Sequence, residues 1–297
     1  MKHLQKIILL LCLFPLTVLR LQAQDKPAYA LFDDKGNSIT YRELIRQLAR
    51  HDVVFLGEMH NCPVTHWLEY EITRSLHAIH KDKLVIGAEM FESDNQLIID
   101  EYMQGYITED RFEAETRLWD NYFTDYRPVV WFAKENAIPF VATNIPRRYA
   151  NSVKNRGLEA LDAFSDEART YMAPLPIPFE YDEEKSRKAF GMMLLMGGKT
   201  DGDPKRLAQA QAIKDATMAW FIARNLSAPN TKLLHLNGSY HSDFKEGIIL
   251  YLLEYRPGTS CATVTFLRQE DISRLDSVQQ GRADFYVVIP DTMVTSY

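Results

Sequence analysis

Short, nearly continuous apolar runs alternate along the chain with longer stretches of helical periodicity. Val53 to Leu56, Lys83 to Ala88, Ile138 to Ala142, Lys232 to Leu236, Cys261 to Leu267 and Phe285 to Ile289 read as six strands. Leu84, Val85 and Ile86 form a continuous apolar run, as a strand buried on both faces requires. Between them, Tyr41, Leu44, Ile45 and Leu48 mark a helix, with Thr40 and Glu43 in capping-box spacing. Trp67, Leu68, Ile72, Leu76 and Ile79 give the apolar stripe of a second helix, entered through Asn61-Cys62-Pro63. The alternation predicts an α/β fold: a mostly parallel central sheet covered by helices on both faces. Lys26 to Asn37 reads as an extended lead-in closed by a turn.

The chain beyond residue 23 reads as one domain with helical insertions at about 93–135 and 149–228. The first insertion carries the aromatics Trp119, Tyr122, Phe123, Tyr126, Trp131 and Phe132, expected to pack one lobe. The second contains an extended linker at Ala173 to Pro178 and a flexible loop at Gly197 to Pro204. No strand precedes that loop, so it is not a phosphate loop.

Residues 1–23 have a different pattern. Lys2, His3 and Lys6 precede an apolar stretch from Ile7 to Leu19, and Leu21-Gln22-Ala23 has small-residue cleavage character. This is the form of a secretory signal peptide, and it places the mature protein outside the cytoplasm. A net charge of −6 offers nucleic acid no electrostatic footing. Cys62 and Cys261 remain after the leader, enough for one disulfide and too few for a disulfide framework.

Polar chemistry gathers where strands end. The first strand runs into Gly57-Glu58-Met59-His60, the second into Glu89 and Glu92, the third into Asn144 and Arg147, and the fourth into Asn237, Tyr240 and His241. In a parallel sheet these ends share one edge, where ligands of such sheets bind. Glu92 alone reads as a helix cap or salt-bridge partner, and His77 and His80, among charges, read as solvated. Three chemistries fit the cluster. Two histidines and a carboxylate hold zinc with an open position. A histidine such as His60, oriented by a carboxylate such as Glu89, is the base of an esterase or peptidase. A tyrosine or histidine ligates haem iron. A serine hydrolase elbow and the helical His-Glu-x-x-His zinc motif are both absent from the sequence.

Gly57-Glu58-Met59-His60 and Gly238-Ser239-Tyr240-His241 resemble the paired Gly-x-x-His motifs of the ChaN/Tiki/erythromycin-esterase superfamily. Gly87 to Phe91, Asn144 to Arg147 and Gln211 through Asp215 to Ala219 extend the likeness over about residues 50–250, nearest to ChaN-like haem-binding uptake proteins. The resemblance implies an exported, periplasmic or envelope-associated, iron-regulated protein that binds haem in the cleft for iron acquisition. It also implies an outer-membrane haem-uptake partner, and admits a homodimer enclosing two haems face to face. Glu58, His60, Glu89, Asn144, Arg147, Tyr240 and His241 are the matching haem-binding positions, with Tyr240 or His241 toward the iron. Superfamily relatives that are metal-dependent peptidases and esterases imply the alternative, a zinc or histidine hydrolase using His60 and Glu89. The chain departs from the family where Asn61-Cys62-Pro63 leads to the single His66 instead of a histidine pair, and where Asp243 replaces an arginine.

Overall fold

The computed structural model describes residues 25–184, 186 and 202–297. The leader at 1–23 and most of the loop expected from Gly197 lie outside the described residues. The sheet has seven strands: β1 (Ala30–Asp33), β2 (Val53–Glu58), β3 (Leu84–Glu92), β4 (Phe140–Asn144), β5 (Lys232–Gly238), β6 (Cys261–Gln269) and β7 (Phe285–Pro290). Their order is β1-β7-β6-β2-β5-β3-β4. All neighbours are parallel except β1, which pairs antiparallel with β7. The α/β expectation is thus met, with one strand more than the sequence pattern suggested. β1 is only four residues long, and its turn is closed by Asp33, whose carboxylate accepts the Asn37 N–H at 2.8 Å.

Alternate residues of the central strands face two helical layers. Val54, Leu56, Ile86 and Leu234 pack toward α1 (Tyr41–Leu48), α2 (Pro63–His80), α3 (Gln96–Met103), α4 (Glu109–Glu115) and α5 (Arg127–Glu135). Val53, Phe55, Val85 and Leu233 pack toward two later helices. After α6 (Arg147–Arg156) and the short α7 (Asp166–Arg169), these are α8 (Pro204–Asn225) and α9 (Ile248–Tyr255). Each fully buried large side chain contributes about 1.5–3 kcal/mol, so this double layer dominates the stabilising side of folding. The Thr40 side chain caps α1 by accepting the Glu43 N–H at 3.2 Å. Glu43 itself turns to Arg46 instead of completing the box.

Several local expectations shift. β3 runs on to Glu92, so Glu89 and Glu92 are strand residues, and β4 begins two residues late, at Phe140. Trp67 and Ile79 do not join the buried stripe of α2. Trp67 is half exposed against Tyr29, and Ile79 lies exposed at the helix end. In the aromatic insertion Tyr122 and Tyr126 are buried, while Phe123 and Trp131 stay largely exposed. His77 and His80 are half-buried, His77 edge-on to Phe132. Cys62 follows the carboxyl end of β2, whereas Cys261 opens β6 level with Val53, at the opposite end; both thiols are free. No helix among the described residues is long and apolar enough to cross a membrane.

Where β2 leaves the sheet, Gly57 has no room for a side chain. A Cβ there would stand 3.0 Å from Ser239 Cα, 3.0 Å from Ser242 Oγ and 3.2 Å from the Val264 carbonyl oxygen. Two of these neighbours are backbone atoms and cannot swing aside. Gly57→Ala is therefore expected to destabilise the fold by about 1–3 kcal/mol. Urea unfolding read by circular dichroism checks it, and an unchanged midpoint would refute the packing argument.

Candidate functional site

The carboxyl ends of β2, β5, β3 and β4 stand side by side, with Glu58 level with Gly238 and Glu92 level with Asn144. This is also where the chain order doubles back, because β5 inserts between β2 and β3. A cleft of about 300 Å³ opens at this edge. Its walls bring together His60, Glu89, Asn144, Arg147, Tyr240 and His241, and add Trp119, Ile145, Gln211 and Lys214. Glu58 is not among the lining residues. It lies behind His60, fully buried.

His60 is held from one side only. Its Nδ1 donates to Glu58 Oε1 at 2.5 Å, and the same oxygen accepts the Tyr126 hydroxyl at 2.7 Å. The ring stands edge-on to Trp119, with centroids 5.0 Å apart. Its Nε2 edge lies over Gly238, where a Cβ would come within 2.8 Å of that nitrogen. The second motif glycine thus exists to admit the first motif's histidine. A carboxylate on Nδ1 fixes the tautomer and leaves Nε2 directed to the cleft, the arrangement common to metal-binding and base histidines. Burial works against the imidazolium, but the Glu58 bond outweighs it and raises the His60 pKa. Glu58 is correspondingly held down to about 2; burial opposes this, and the His60 hydrogen bond and charge overcome it.

His241 is held from both sides. Nδ1 bonds Asp215 Oδ1 at 2.6 Å, and Nε2 lies 3.3 Å from Glu89 Oε1. Burial would lower its pKa, yet Glu89 and Asp215 together push it up to about 10. An imidazolium clamped by two carboxylates has no lone pair for a metal. To ligate iron, His241 would have to lose a proton and release Glu89. Glu89 spends its other oxygen on the Gly238 N–H, at 2.8 Å. Its carboxyl is lowered because His241 and His60 outweigh the cost of burial.

The remaining residues divide between wall and rim. Asn144 Nδ2 donates to the Glu89 carbonyl at 3.0 Å. Tyr240 is half-buried on the cleft wall, edge-on to His241 with centroids 5.3 Å apart. Arg147 is 79% exposed on its side chain and 3.8 Å from Glu92, so it is free to meet a ligand anion. Glu92 is a salt-bridge partner, bonded to Arg117 at 2.8 Å. Asp243 pairs with Arg282 and Thr265 away from the cleft.

Sequence reasoning did not single out Asp215, Glu69, Asp125 or Tyr126 as site residues. All four are buried. A signal was present. Glu69 falls on the buried stripe beside Leu68 and Ile72, and Asp125 sits between aromatics, both costly positions for a carboxylate without partners.

A family model described as haem-binding uptake, Tiki superfamily, ChaN, matches residues 44–252. The chain belongs to this family. Among solved structures, the cofacial haem-binding ChaN of Campylobacter jejuni matches with a TM-score of 0.68 at 19% identity, covering 90% of this chain and 98% of that one. A succinoglycan biosynthesis protein follows with a TM-score of 0.50 at 11% identity over 84% of this chain and 90% of its own. An erythromycin esterase mutant in an open conformation gives 0.47 at 12% identity, over 88% and 83%. The first of these likenesses supports the family fold. No curated protein matches the chain.

The His241 clamp has a measurable pH signature. Its pKa rises from 6.5 to about 10 on folding, so its stabilisation is complete below pH 6.5 and fades as pH climbs through 10. Thermal melts of wild type and His241→Gln should differ most near pH 6 and converge above about pH 10. A gap that widens with pH would reverse the assignment.

Proposed function

We propose that the cleft binds haem as cargo and that the protein serves haem-iron acquisition outside the cytoplasm. Membership of the haem-binding uptake family carries this reading, and the cleft's chemistry supports it. Haem asks for apolar and aromatic contact on its ring face, one ligand for iron and cations for its propionates. Trp119, Ile145 and Tyr240 supply the first, and Arg147 and Lys214 the last. For iron the reading assigns the Tyr240 hydroxyl, with the His60 Nε2 edge on the same cleft. His241 is instead the clamp that keeps Glu89 and the Tyr240 turn in place.

A flat macrocycle has two faces, and one seated in a cleft of about 300 Å³ would leave a face open. A second copy meeting that open face would complete the enclosure, in keeping with the cofacial binding of the Campylobacter jejuni protein. The basic-then-apolar leader supports export to the periplasm or envelope, with outer-membrane haem-uptake machinery as the partner.

One observation favours a second reading. The Glu58–His60 pair has the form of a general base and its orienting carboxylate, as a hydrolase needs. If ester or peptide hydrolysis were found in the wild type and abolished by His60→Ala, this reading would replace the first.

Haemin titration of the purified protein tests the leading reading. A saturable Soret shift is expected. Tyr240→Phe should change the visible bands of the bound ferric haem, and Arg147→Ala should weaken binding by about tenfold through a lost propionate contact. The same spectrum and affinity in Tyr240→Phe and His60→Ala as in wild type would place haem elsewhere.

A further inference from the structure

Behind His60 lies a second cluster that the haem cleft does not use. Glu58 and Glu69 are 0% exposed, His66 is 4% exposed and Asp125 is 5% exposed. Three carboxylates withdrawn from water around one imidazole need positive charge nearby. The hydrogen bonds of His66 show where that charge belongs. Its Nε2 lies 3.1 Å from the His60 carbonyl oxygen and 3.3 Å from Asp125 Oδ2. A carbonyl only accepts, so Nε2 carries the hydrogen, and Nδ1 is the atom that faces the two glutamates.

Nδ1 lies 3.1 Å from Glu69 Oε2 and 3.8 Å from Glu58 Oε2. Among the described residues, Glu58 Oε2 and Glu69 Oε1 meet no hydrogen-bond donor, although both are buried. One nitrogen and two carboxylate oxygens, one from each glutamate, lie within 4.8 Å of one another. Around a tetrahedral ion with bonds of about 2.0–2.2 Å, neighbouring donors stand roughly 3.3–3.6 Å apart. The two measured spacings fall on either side of that range.

We propose that Glu58, His66 and Glu69 form a buried site for one divalent transition-metal cation, separate from the haem cleft. Asp125 and the His60 carbonyl orient the His66 ring from behind, as outer-shell acceptors do for metal-bound imidazoles. Asn121 keeps both acceptors in place, donating to the His60 carbonyl at 3.1 Å and to Asp125 at 2.8 Å. Glu58 would bind the cation through Oε2 while Oε1 keeps its bonds to His60 and Tyr126. The cation thereby steadies the wall of the cleft without entering it. One imidazole and two carboxylates suit zinc, manganese or ferrous iron better than calcium or magnesium. The rival occupant of the same space is hydrogen alone, with one proton on Nδ1 and another shared by the glutamates.

Glu69→Gln separates the two, because the amide mimics a protonated acid but is a poor metal ligand. The full-length protein, purified without chelator and without haem, is analysed by inductively coupled plasma mass spectrometry. About one equivalent of divalent transition metal per chain is expected in wild type. Glu69→Gln and His66→Asn should both lack it. After chelation, zinc or manganese at about a hundred times its Kd should raise the wild-type Tm by roughly 5–10 °C and leave Glu69→Gln unmoved. Retention of metal by Glu69→Gln would overturn the site. A metal-free wild type whose melting ignores both ions would assign the space to protons. Haemin titration of Glu69→Gln reads the cleft independently, so failure of either proposal is distinguishable from failure of the other.

Discussion

Two desolvated carboxylates govern the working edge of this protein. Glu58 and Glu89 come from β2 and β3, the two strands that flank β5, and neither can be left unpaired away from water. β5 answers both of them. Its last residue, Gly238, donates its N–H to Glu89, and by having no side chain it lets His60 lie across it while bonded to Glu58. The next turn returns His241 to Glu89, and α8 contributes Asp215 to the other side of that ring. Burial of charge and closeness of backbone are therefore one constraint. Removing either motif glycine would disturb the pairing of a carboxylate, because each glycine stands where a neighbour passes too close for a Cβ.

The two motif histidines do unlike work although their sequence contexts are alike. His60 has one carboxylate and one free edge, so it can respond to a ligand. His241 has carboxylates at both nitrogens and serves as a fixed positive charge. Nothing in the repeated Gly-x-x-His spacing distinguishes them. The difference comes from α8, which brings Asp215 across the chain to a ring that already faces Glu89.

That contrast marks how far the sequence could be read. The central strands were legible because burial on both faces demands unbroken apolar runs, and Val53–Leu56 and Leu84–Ile86 show that demand directly. β1 was not, since a four-residue edge strand takes its order from β7 and carries little pattern of its own. The convergence of Glu58, Glu89, Asn144 and His241 was legible from the parallel topology. Their division into a cleft wall and a layer behind it was not. Which oxygen meets which nitrogen depends on helices far away in sequence, and a carboxylate on a buried helical stripe, such as Glu69, announces only that it must have a partner.

The layer behind the cleft therefore bears on what the cleft can do. His60 is joined to it twice: Glu58 holds its ring, and Asn121 and His66 both donate to its carbonyl oxygen. Any change in charge among Glu58, His66, Glu69 and Asp125 thus alters both the basicity of the His60 ring and the backbone that carries it. Trp119 and Tyr126, themselves edge-on with centroids 6.0 Å apart, stand against His60 and His66 respectively. In so dry a setting each hydrogen bond to a charge is stronger, and each missing one more costly, than at the surface. A ligand that engages the cleft at His60 therefore meets a group whose proton affinity depends on Glu58, a residue it never touches.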